Sequence, residues 1–360
     1  MQKIILLTDY LERFSSKWAA MPYRSGMDKT RLIEYFSASG YDCEFLNFSE
    51  LDFRGNSFSG VPVLYSTSED TAGHYRDYIE DVLLGLACQG AFLIPRFELF
   101  RAHHNKVFME ILRDLMPINE SQNIRTKHFG TLEDLFCKIS EITFPCVVKR
   151  ASGAGSSGVF KASSEKELIK CVKKISRTPY WFDEIWDFGR SLKHKGYIRE
   201  SRHRNKYIVQ TFIEGLTHDW KVLVFDDRFY VLRRSNRKND FRASGSGMLE
   251  YRQDTPGEVL DLAQEIYRFL DVPNISIDVA YDGKQTYLLE FQCVGFGTHA
   301  LDTSPFYFKR KNGNWRSVIE ESILEKVYAE SITNFVEKIL KGKVRIDAGV
   351  SIFSERIGTI

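Results

Sequence analysis

The stretch ISIDVAYDGKQTYLLEFQ, residues 275–292, decides the fold expected for this chain. Two runs rich in β-branched and aromatic residues, Ile275–Tyr281 and Gln285–Gln292, flank the dipeptide Asp282-Gly283. Such a dipeptide between two apolar runs is the strongest short-range signal of a β-hairpin. The stretch therefore predicts two antiparallel strands.

Each strand of this hairpin carries chemistry-bearing side chains. Asp278 lies on the first strand, and Glu290 and Gln292 lie two apart on the second, so the latter two point to the same face. A two-residue turn would offset Asp278 from Glu290, whereas a five-residue loop, Asp282–Thr286, would place them opposite each other. We expect the longer loop. Carboxylate and carbonyl oxygens are the ligands that Mg²⁺ prefers, shared with substrate phosphates; the alternative is a structural salt bridge to an arginine.

A glycine-rich loop precedes this hairpin. Residues Ser152–Gly158 contain G-x-G-x-x-G, and Val159–Ala162 then continues as a strand. A dinucleotide site needs a helix after the loop, and the Walker pattern needs a lysine after the last glycine. The Asp187-Phe188-Gly189 triplet comes too soon after the loop for a protein kinase. The remaining readings are a phosphate-covering hairpin, with Lys149 on the strand before it, or an ordinary mobile surface hairpin.

A strand and turn follow that could meet a nucleotide. Tyr207–Ile213 is an apolar strand ending in Glu214-Gly215, with Asp219 and Lys221 shortly after it. The end of such a strand can offer backbone N–H and C=O groups to an adenine edge while Glu214 approaches the ribose or the base. An ordinary buried strand and turn is the alternative.

Arginines follow in the next segment. Arg233-Arg234 precedes the small-residue turn Asp240–Gly247, which contains Arg242. Guanidinium groups bind phosphate or carboxylate through two parallel hydrogen bonds. The segment thus favours an anion site, with a solvated basic loop as the alternative.

Periodicity predicts the remaining elements. The alternation of strands and helices before Pro95 indicates a small parallel sheet with covering helices. Further strands are expected at Lys3–Thr8, Val61–Tyr65, Phe144–Arg150, Lys221–Phe225 and Phe229–Arg233, and helices at Asp28–Ala38, Asn105–Met116 and Pro256–Leu270, from Ser164, and from about Arg316 to Leu340.

Composition excludes several classes of protein. Of 360 residues, 43% are hydrophobic and 27% charged, and the net charge is +2, which is ordinary for a globular protein and gives no sign of nucleic-acid binding. The N-terminal apolar run is too short for a signal peptide or a membrane span, so we expect a cytoplasmic protein. Six scattered cysteines without a C-x-x-C pair argue against a thiolate metal cluster and a secreted disulfide framework.

Taken in order, these motifs resemble the ATP-grasp superfamily, especially its carboxylate–amine ligases of the ribosomal-protein glutamate ligase and glutathione synthetase type. The resemblance covers roughly residues 95 to 305. It is carried by six pieces in series: Asn105-Lys106, Val-Val-Lys with the glycine loop, Val-Gln-Thr-Phe-Ile-Glu-Gly, Asp-x-Lys, Asp-Phe-Arg, and Asp…Glu-x-Gln.

The resemblance implies a role for each matched residue. ATP would contact Lys106, Lys149, Gly153, Gly155, Ser156, Ser157, Gly158, Gln210, Phe212, Ile213, Glu214, Asp219 and Lys221. Arg242, with Arg233 or Arg234, would stabilise the transferring phosphate, and Asp278, Glu290 and Gln292 would bind Mg²⁺ (or Mn²⁺). One departure is Gln292, because family members commonly have Asn there.

The implied fold is α/β (α+β), an ATP-grasp fold with an N-terminal Rossmann-like domain and two α+β subdomains that grip ATP. The boundaries expected are 1–100, 101–206 and 207–345, with a tail at 346–360. The implied activity joins a carboxylate to an amine through an acyl phosphate, releasing ADP and phosphate. A phosphotransferase on the same fold and a non-catalytic ATP-binding regulatory protein are the alternatives.

The partners expected are small-molecule carboxylate and amine substrates, with no nucleic acid and no membrane span; a homo-oligomer is left open. The basic run Arg190–Lys206 is read either as a solvated loop or as a contact for an anionic substrate, such as a phosphorylated compound, a glycan or a peptide.

Overall fold

The N-terminal part of the chain is a parallel sheet with helices on it. The computed structural model describes residues 2–153, 158–238 and 240–342. Its first sheet has the order β2-β1-β3-β4 with every pair parallel. The continuous apolar run in the first strand suits a parallel strand buried on both faces. The elements are β1 (Gln2–Thr8), α1 (Lys29–Ala38), β2 (Tyr41–Asn47), β3 (Pro62–Tyr65), α2 (His74–Cys88) and β4 (Phe92–Ile94).

Two helices lead out of this sheet, α3 (Phe97–His103) and α4 (Lys106–Asp114). Asn105 caps α4 by accepting a hydrogen bond from the Phe108 N–H, as expected for an asparagine at a helix start. The apolar stripe of α4 explains its position, because Met109 and Leu112 are buried in the core of the C-terminal sheet.

The central sheet is antiparallel and has the order β5-β8-β6-β7. Helices α5 and α6 bury their apolar stripes against it. Its elements are β5 (Thr126–Phe129), α5 (Leu132–Lys138), β6 (Cys146–Arg150), β7 (Val159–Ala162), α6 (Glu165–Ser176), α7 (Trp181–Lys193) and β8 (Tyr207–Thr211).

The C-terminal sheet has the order β13-β12-β9-β10-β14-β15, with β11 paired to β10. Its elements are β9 (His218–Phe225), β10 (Arg228–Ser235), β11 (Leu249–Glu250), α8 (Gly257–Leu270), β12 (Asn274–Tyr281), β13 (Thr286–Gln292), α9 (His299–Asp302), β14 (Phe306–Lys311), β15 (Asn314–Ile319) and α10 (Leu324–Leu340). Alternate residues of β9 enter opposite cores: Val222 and Val224 pack with α4 and α8, whereas Leu223 and Phe225 pack with α10 and the N-terminal sheet.

The hairpin that decides the fold forms, but with a shorter loop than expected. Tyr281 pairs with Thr286, which leaves four residues in the loop instead of five. The register then shifts by one residue between Asp278 and Val279, so that Asp278 still pairs with Glu290. A β-bulge on β13 at Leu289 therefore supplies the offset that the longer loop was expected to give, since a bulge places one extra residue on one strand.

The predicted helix from Arg316 is wrong in its first part. Arg316 lies on β15, which pairs with β14, and the helix α10 starts only at Leu324. The turn between these strands is Asn312-Gly313, and both residues have positive φ (52° and 81°). Asn-Gly is the preferred sequence of a two-residue hairpin turn, so the signal is present in the sequence.

Two other elements lie with a different sheet from the one that the expected domain boundaries assign to them. The strand β8, expected to open the C-terminal unit at residue 207, pairs with β5 and β6 of the central sheet. Helix α4, expected in the central unit, is buried against the C-terminal sheet. We therefore propose that the central unit is better bounded by strand pairing, from about β5 to the end of β8.

Candidate functional site

The carboxylates of the decisive hairpin lie among cations. Asp278 and Glu290 are directly opposite on β12 and β13. The Lys106 Nζ lies 2.9 Å from the Glu290 Oε1, and the Gln292 Nε2 lies 3.4 Å from the same oxygen. The first residue of α4 and the metal-ligand candidates of β13 are thus brought together, although 184 positions separate Lys106 from Glu290 in sequence.

Arg234 on β10 binds two carboxylates at once. Its guanidinium donates to both oxygens of Asp219, at 2.7 and 2.9 Å, and its Nη2 also lies 2.8 Å from the Asp278 Oδ2. Lys221 Nζ lies 3.5 Å from the Asp278 Oδ1 and donates to the Ser276 Oγ at 2.7 Å. The cause is register, because Arg234 faces Asp219 across β10 and β9, and Lys221 faces Asp278 across β9 and β12.

These residues form what we call the open cluster: Lys106, Lys221, Arg234, Asp278 and Glu290. Their side chains are 9–26% exposed, so a ligand can reach them. The arginine salt bridge that was the alternative for Asp278 is present. Arg234 contacts only the Oδ2 of Asp278, whereas the buried Oδ1 lies 3.5 Å from the Lys221 Nζ.

The cations keep both carboxylates ionised. Burial acts to raise the pKa of Asp278, but Arg234 and Lys221 outweigh it and lower that pKa to about 2. Burial acts in the same way on Glu290, whose pKa is nevertheless lowered by Lys106 and Lys149. Two charged carboxylates that face each other fit a hard divalent cation.

Few side chains at this site could coordinate a metal ion. Within residues 2–153, 158–238 and 240–342, no group of three His, Cys, Asp or Glu side chains could hold a metal by itself. Asp278, Glu290 and the Gln292 amide supply two carboxylates and one carbonyl. This suits Mg²⁺, which is usually held by one or two carboxylates and substrate phosphates rather than by a protein cage.

Lys149 lies between the open cluster and a second set of charges. Burial lowers its pKa, and Glu110 and Glu290 both act against that shift. The Lys106 N–H donates to the Ala151 carbonyl at 2.8 Å, which ties the start of α4 to the residues that follow β6. Both lysines predicted to hold phosphates therefore lie near Glu290.

The second set, which we call the closed cluster, consists of Glu110, Arg113, Thr126 and Gln210. Glu110 forms an ion pair with Arg113, and both side chains are only 1% exposed. The Gln210 Nε2 donates to the Glu110 Oε1 at 2.9 Å and to the Thr126 Oγ1 at 3.1 Å. Gln210 is one of the residues predicted to meet adenine, but its side chain is taken up by this cluster.

Of the residues predicted to meet adenine, which we call the hinge, Gln210 lies on β8, and Phe212 and Ile213 follow the end of that strand. Phe212 stacks its ring under the Lys161 ammonium, 3.9 Å from the ring centroid, and meets Phe241 edge-on at 5.8 Å. Phe241 belongs to the loop of Arg242, so the hinge and that loop are in contact. Ile213 is half-buried and Glu214 exposed.

The glycine loop is described only at its two ends. Gly153 has φ +115° with open space around it, and the Arg150 N–H donates to the Gly158 carbonyl at 3.0 Å. Gly155, Ser156 and Ser157 lie outside the described residues. The β6–β7 pairing around the loop agrees with the expected hairpin.

The three predicted arginines occupy different places. Arg234 belongs to the open cluster, whereas its neighbour Arg233 points to the other face and pairs with the exposed Glu250 at 2.8 Å. Arg242 forms a two-pronged contact with Asp240, at 2.8–3.2 Å. Its hydrogen bonds hold the pKa of Asp240 at about 2.

Two histidines at the end of α3 lie beside the site and are not among the residues predicted from the sequence. His103 and His104 pack edge to face at 4.3 Å, and His104 contacts the Thr67 hydroxyl. Burial lowers the pKa of His103 to about 4, against an opposing effect of Glu290. Its Nδ1 is buried without a hydrogen-bond partner. His103-His104 directly precedes the motif Asn105-Lys106, and this proximity in sequence could have indicated that both histidines lie near the site.

Gly295 leaves the space that the His103 ring and the Thr67 side chain occupy. It has φ +63°, and a Cβ at this position would clash with the Thr67 methyl group and lie 3.3 Å from the His103 Nε2. A larger residue could not adopt this backbone conformation without strain. The turn after β13, the end of α3 and the loop after β3 therefore meet beside the open cluster.

None of the helices in the described ranges is long and apolar enough to cross a membrane. No protein-family model matches the sequence, and no curated protein does.

The structure is similar to solved structures over almost its whole length. One is the D-cycloserine synthetase DcsG, with 13% identity and a TM-score of 0.54 over 92% of this chain and 99% of that one. Another is the D-alanine–D-alanine ligase from Bacillus anthracis, with 14% identity and a TM-score of 0.53 over 96% and 100%; its ATP complex gives 13% and 0.51 over 95% and 99%. The ATP-grasp ligase PsnB, complexed with a minimal precursor, gives 13% and 0.50 over 93% and 100%. This chain has the ATP-grasp fold, with an N-terminal parallel sheet domain and two antiparallel α+β subdomains.

Proposed function

We propose that this protein is an ATP-dependent ligase that activates a carboxylate as an acyl phosphate and joins it to an amine. The observation that carries the proposal is the open cluster, in which Asp278 faces Glu290 among Lys106, Lys221 and Arg234. Structurally similar proteins include ligases by name, one of them in an ATP complex. The ligase chemistry is our inference from the site.

The charges of the cluster suit a metal–triphosphate complex. Lys106, Lys149 and Lys221 supply cations for phosphate oxygens, and Asp278 and Glu290, with the Gln292 carbonyl, would hold Mg²⁺ (or Mn²⁺). The ion, when bound, would offset the negative charge that develops on the phosphates during transfer. Salt bridges within the cluster would then be exchanged for contacts to the ligand. This exchange requires that the side chains of the cluster are partly exposed, so that the ligand can reach them.

The chain's own residues position the reaction. Lys106 begins α4, which packs against the C-terminal sheet, and Lys149 lies on β6, a strand of the central sheet, so both sheets would hold the same phosphates. The backbone of Phe212–Glu214 would meet the adenine. The hairpin that contains Gly153 and Gly158 would cover the phosphates, and excluding water protects an acyl phosphate from hydrolysis.

The bond changes balance in two steps. A carboxylate oxygen attacks the γ-phosphorus, the bond from that phosphorus to the β-γ bridging oxygen breaks, and ADP leaves. The amine nitrogen then attacks the acyl carbon, inorganic phosphate leaves with the former carboxylate oxygen, and the amine loses a proton. Arg242 and Arg234 are the arginines that we propose stabilise the transferring group; Arg233, which faces away, is the weaker candidate.

The substrate class that we propose is an amino acid or peptide carboxylate with an amine partner. Structurally similar proteins support this choice, since they include a D-alanine–D-alanine ligase and a ligase complexed with a precursor.

The test uses oxygen-18 in the carboxylate. Pools of amino acids and short peptides labelled in their carboxyl groups are incubated with ATP, Mg²⁺ and the full chain, and products are read by mass spectrometry. We expect ADP, an amide, and inorganic phosphate that carries one labelled oxygen per turnover. AMP and pyrophosphate would indicate an acyl adenylate, and a stable phosphorylated product would indicate a phosphotransferase; either contradicts the proposal.

A further inference from the structure

Helix α7 presents its apolar side to solvent. Trp181, Phe182, Ile185, Trp186 and Leu192 are 56–74% exposed. On a helix with 3.6 residues per turn they occupy one continuous side. Soluble monomers rarely expose a contiguous apolar patch of more than a few hundred Å².

The opposite side of α7 attaches the helix to the protein through charges. Asp187, the one buried residue of the helix, accepts from the Tyr197 hydroxyl at 2.6 Å and pairs with Arg199 at 3.4 Å. Glu184 pairs with Arg177 and with Arg202. An ordinary surface helix buries its apolar side and exposes its charges. Helix α7 does the opposite, because its apolar side faces solvent and its charged residues Glu184 and Asp187 face the protein.

A notch lies in the middle of the exposed side. Gly189 is helical, and a Cβ built on it would have no atom within 4 Å. Glycine weakens a helix interior, and no neighbour in the described residues requires it here. An exposed helical glycine between bulky residues leaves room for a side chain of another helix to approach closely.

We propose that α7 is the contact through which two copies of this chain associate, with their α7 helices antiparallel about a two-fold axis. Phe182, Trp186, Gly189 and Lys193 follow the spacing i, i+4, i+7, i+11, which forms one stripe. An axis between residues 187 and 188 places Trp186 of each copy over Gly189 of the other. The same axis places Phe182 of each copy against Lys193 of the other, so the stripe complements itself.

The size of the patch supports a stable pair. Four aromatic side chains, Trp181, Phe182, Trp186 and Phe188, are at least half exposed. With the area that aromatic side chains carry, they offer on the order of 500 Å², and Ile185 and Leu192 bring the patch toward the roughly 800 Å² per partner of a standard interface.

Charge selects the antiparallel arrangement. Asp183 lies near the start of α7 and Lys193 ends it; both are exposed, and neither forms an ion pair in the described part of the chain. Antiparallel copies place Lys193 of one beside Asp183 of the other, twice by symmetry. They also separate the basic segments after the two helices and oppose the helix dipoles, whereas a parallel pair would bring like charges together.

Sedimentation velocity over a concentration series tests the proposal on the full chain. We expect a concentration-dependent dimer. Trp186→Glu should raise the dissociation constant at least 100-fold, because it places a charge in the centre of the contact. Asp183→Lys and Lys193→Asp should each weaken the dimer about tenfold, and the combined variant should recover most of the loss.

Ile319→Glu is the matched control, because Ile319 is 79% exposed on β15, an edge strand of the C-terminal sheet; it should dimerise like the wild type. A monomer at every concentration, a dimer insensitive to Trp186→Glu, or a charge swap without recovery would each overturn the proposal. A monomer that instead co-sediments with phosphatidylglycerol vesicles through Trp186 would overturn it too, and would assign the face to a membrane surface. None of these outcomes depends on ATP turnover.

Discussion

The open and closed clusters contain similar side chains and differ in their access to solvent. In the closed cluster the Glu110 and Arg113 side chains are 1% exposed, and Arg113 also donates to the Ile124 carbonyl at 3.0 Å. In the open cluster the Lys106 and Glu290 side chains are 13% and 26% exposed. Lys149 feels the negative charge of both Glu110 and Glu290, so the two clusters are neighbours.

The difference separates charges that maintain structure from charges that await a ligand. A fully buried ion pair such as Glu110 and Arg113 leaves a ligand no access, and losing one member leaves an uncompensated charge. A partly exposed cluster, such as the one around Asp278 and Glu290, can exchange an internal salt bridge for a ligand. We therefore expect substitutions in the closed cluster to change stability and substitutions in the open cluster to change turnover.

The largest expected effect is on stability. Arg113→Met leaves Glu110 buried without its cation and should lower the free energy of unfolding by about 3–5 kcal/mol, measured by urea denaturation. Arg233→Met is the control, since its partner Glu250 is exposed and the loss should be at most about 1 kcal/mol. Equal losses in the two variants would remove the distinction between buried and exposed pairs.

Removing a charge from the open cluster should affect turnover instead. Glu290→Gln keeps the shape of the side chain but loses the carboxylate that faces Asp278, so ATP turnover should fall about 10²–10³-fold, or roughly 3–4 kcal/mol of barrier. The unfolding free energy should stay close to that of the wild type. Glu250→Gln serves as the control with full turnover, and unchanged turnover in Glu290→Gln would refute the metal assignment.

A histidine beside the open cluster allows a test by pH. His103 has its pKa lowered by burial to about 4, below the ordinary value near 6.5. Between these values the unfolded chain binds a proton that the folded chain does not, so stability falls as pH falls from about 6.5 to about 4. The slope from this ring is at most about 1.4 kcal/mol per pH unit.

The measurement is urea denaturation across that pH range in the wild type and in His103→Gln, which should show a shallower slope. The exposed His128 provides the control His128→Gln, which should keep the wild-type slope. If His103→Gln and the wild type have the same slope, His103 is not held neutral by its surroundings.

The smallest expected effect concerns Gln292. Gln292→Asn retains the amide carbonyl and loses one methylene, together with the 3.4 Å contact from its Nε2 to Glu290. We expect turnover within about threefold of the wild type and an unchanged unfolding free energy, with a modest shift in the Mg²⁺ concentration needed for half-maximal rate. A loss as large as that of Glu290→Gln would show that the longer side chain sets the position of the metal.

Local sequence patterns predict most of the helices and strands correctly. The apolar run of β1, the stripe of α4 and the paired runs around Asp282-Gly283 are properties of neighbouring residues, and the structure confirms each of them. The hairpin after Lys311 was predictable as well, because Asn312-Gly313 is a strong turn signal, so the error there is one of interpretation. The proposed residue roles remain predictions.

By itself, the sequence determined most helices and strands and the set of candidate residues, because strand alternation and turn dipeptides depend only on local spacing. The fold was implied by the resemblance of the ordered motifs to the ATP-grasp superfamily. The tertiary structure alone decided which charges meet. Sheet register joined Arg234 to Asp278, and chain packing brought Lys106 to Glu290 and Gln210 to Glu110. These contacts join residues far apart in sequence, and their geometry follows from how strands pair and layers pack, which no local pattern records.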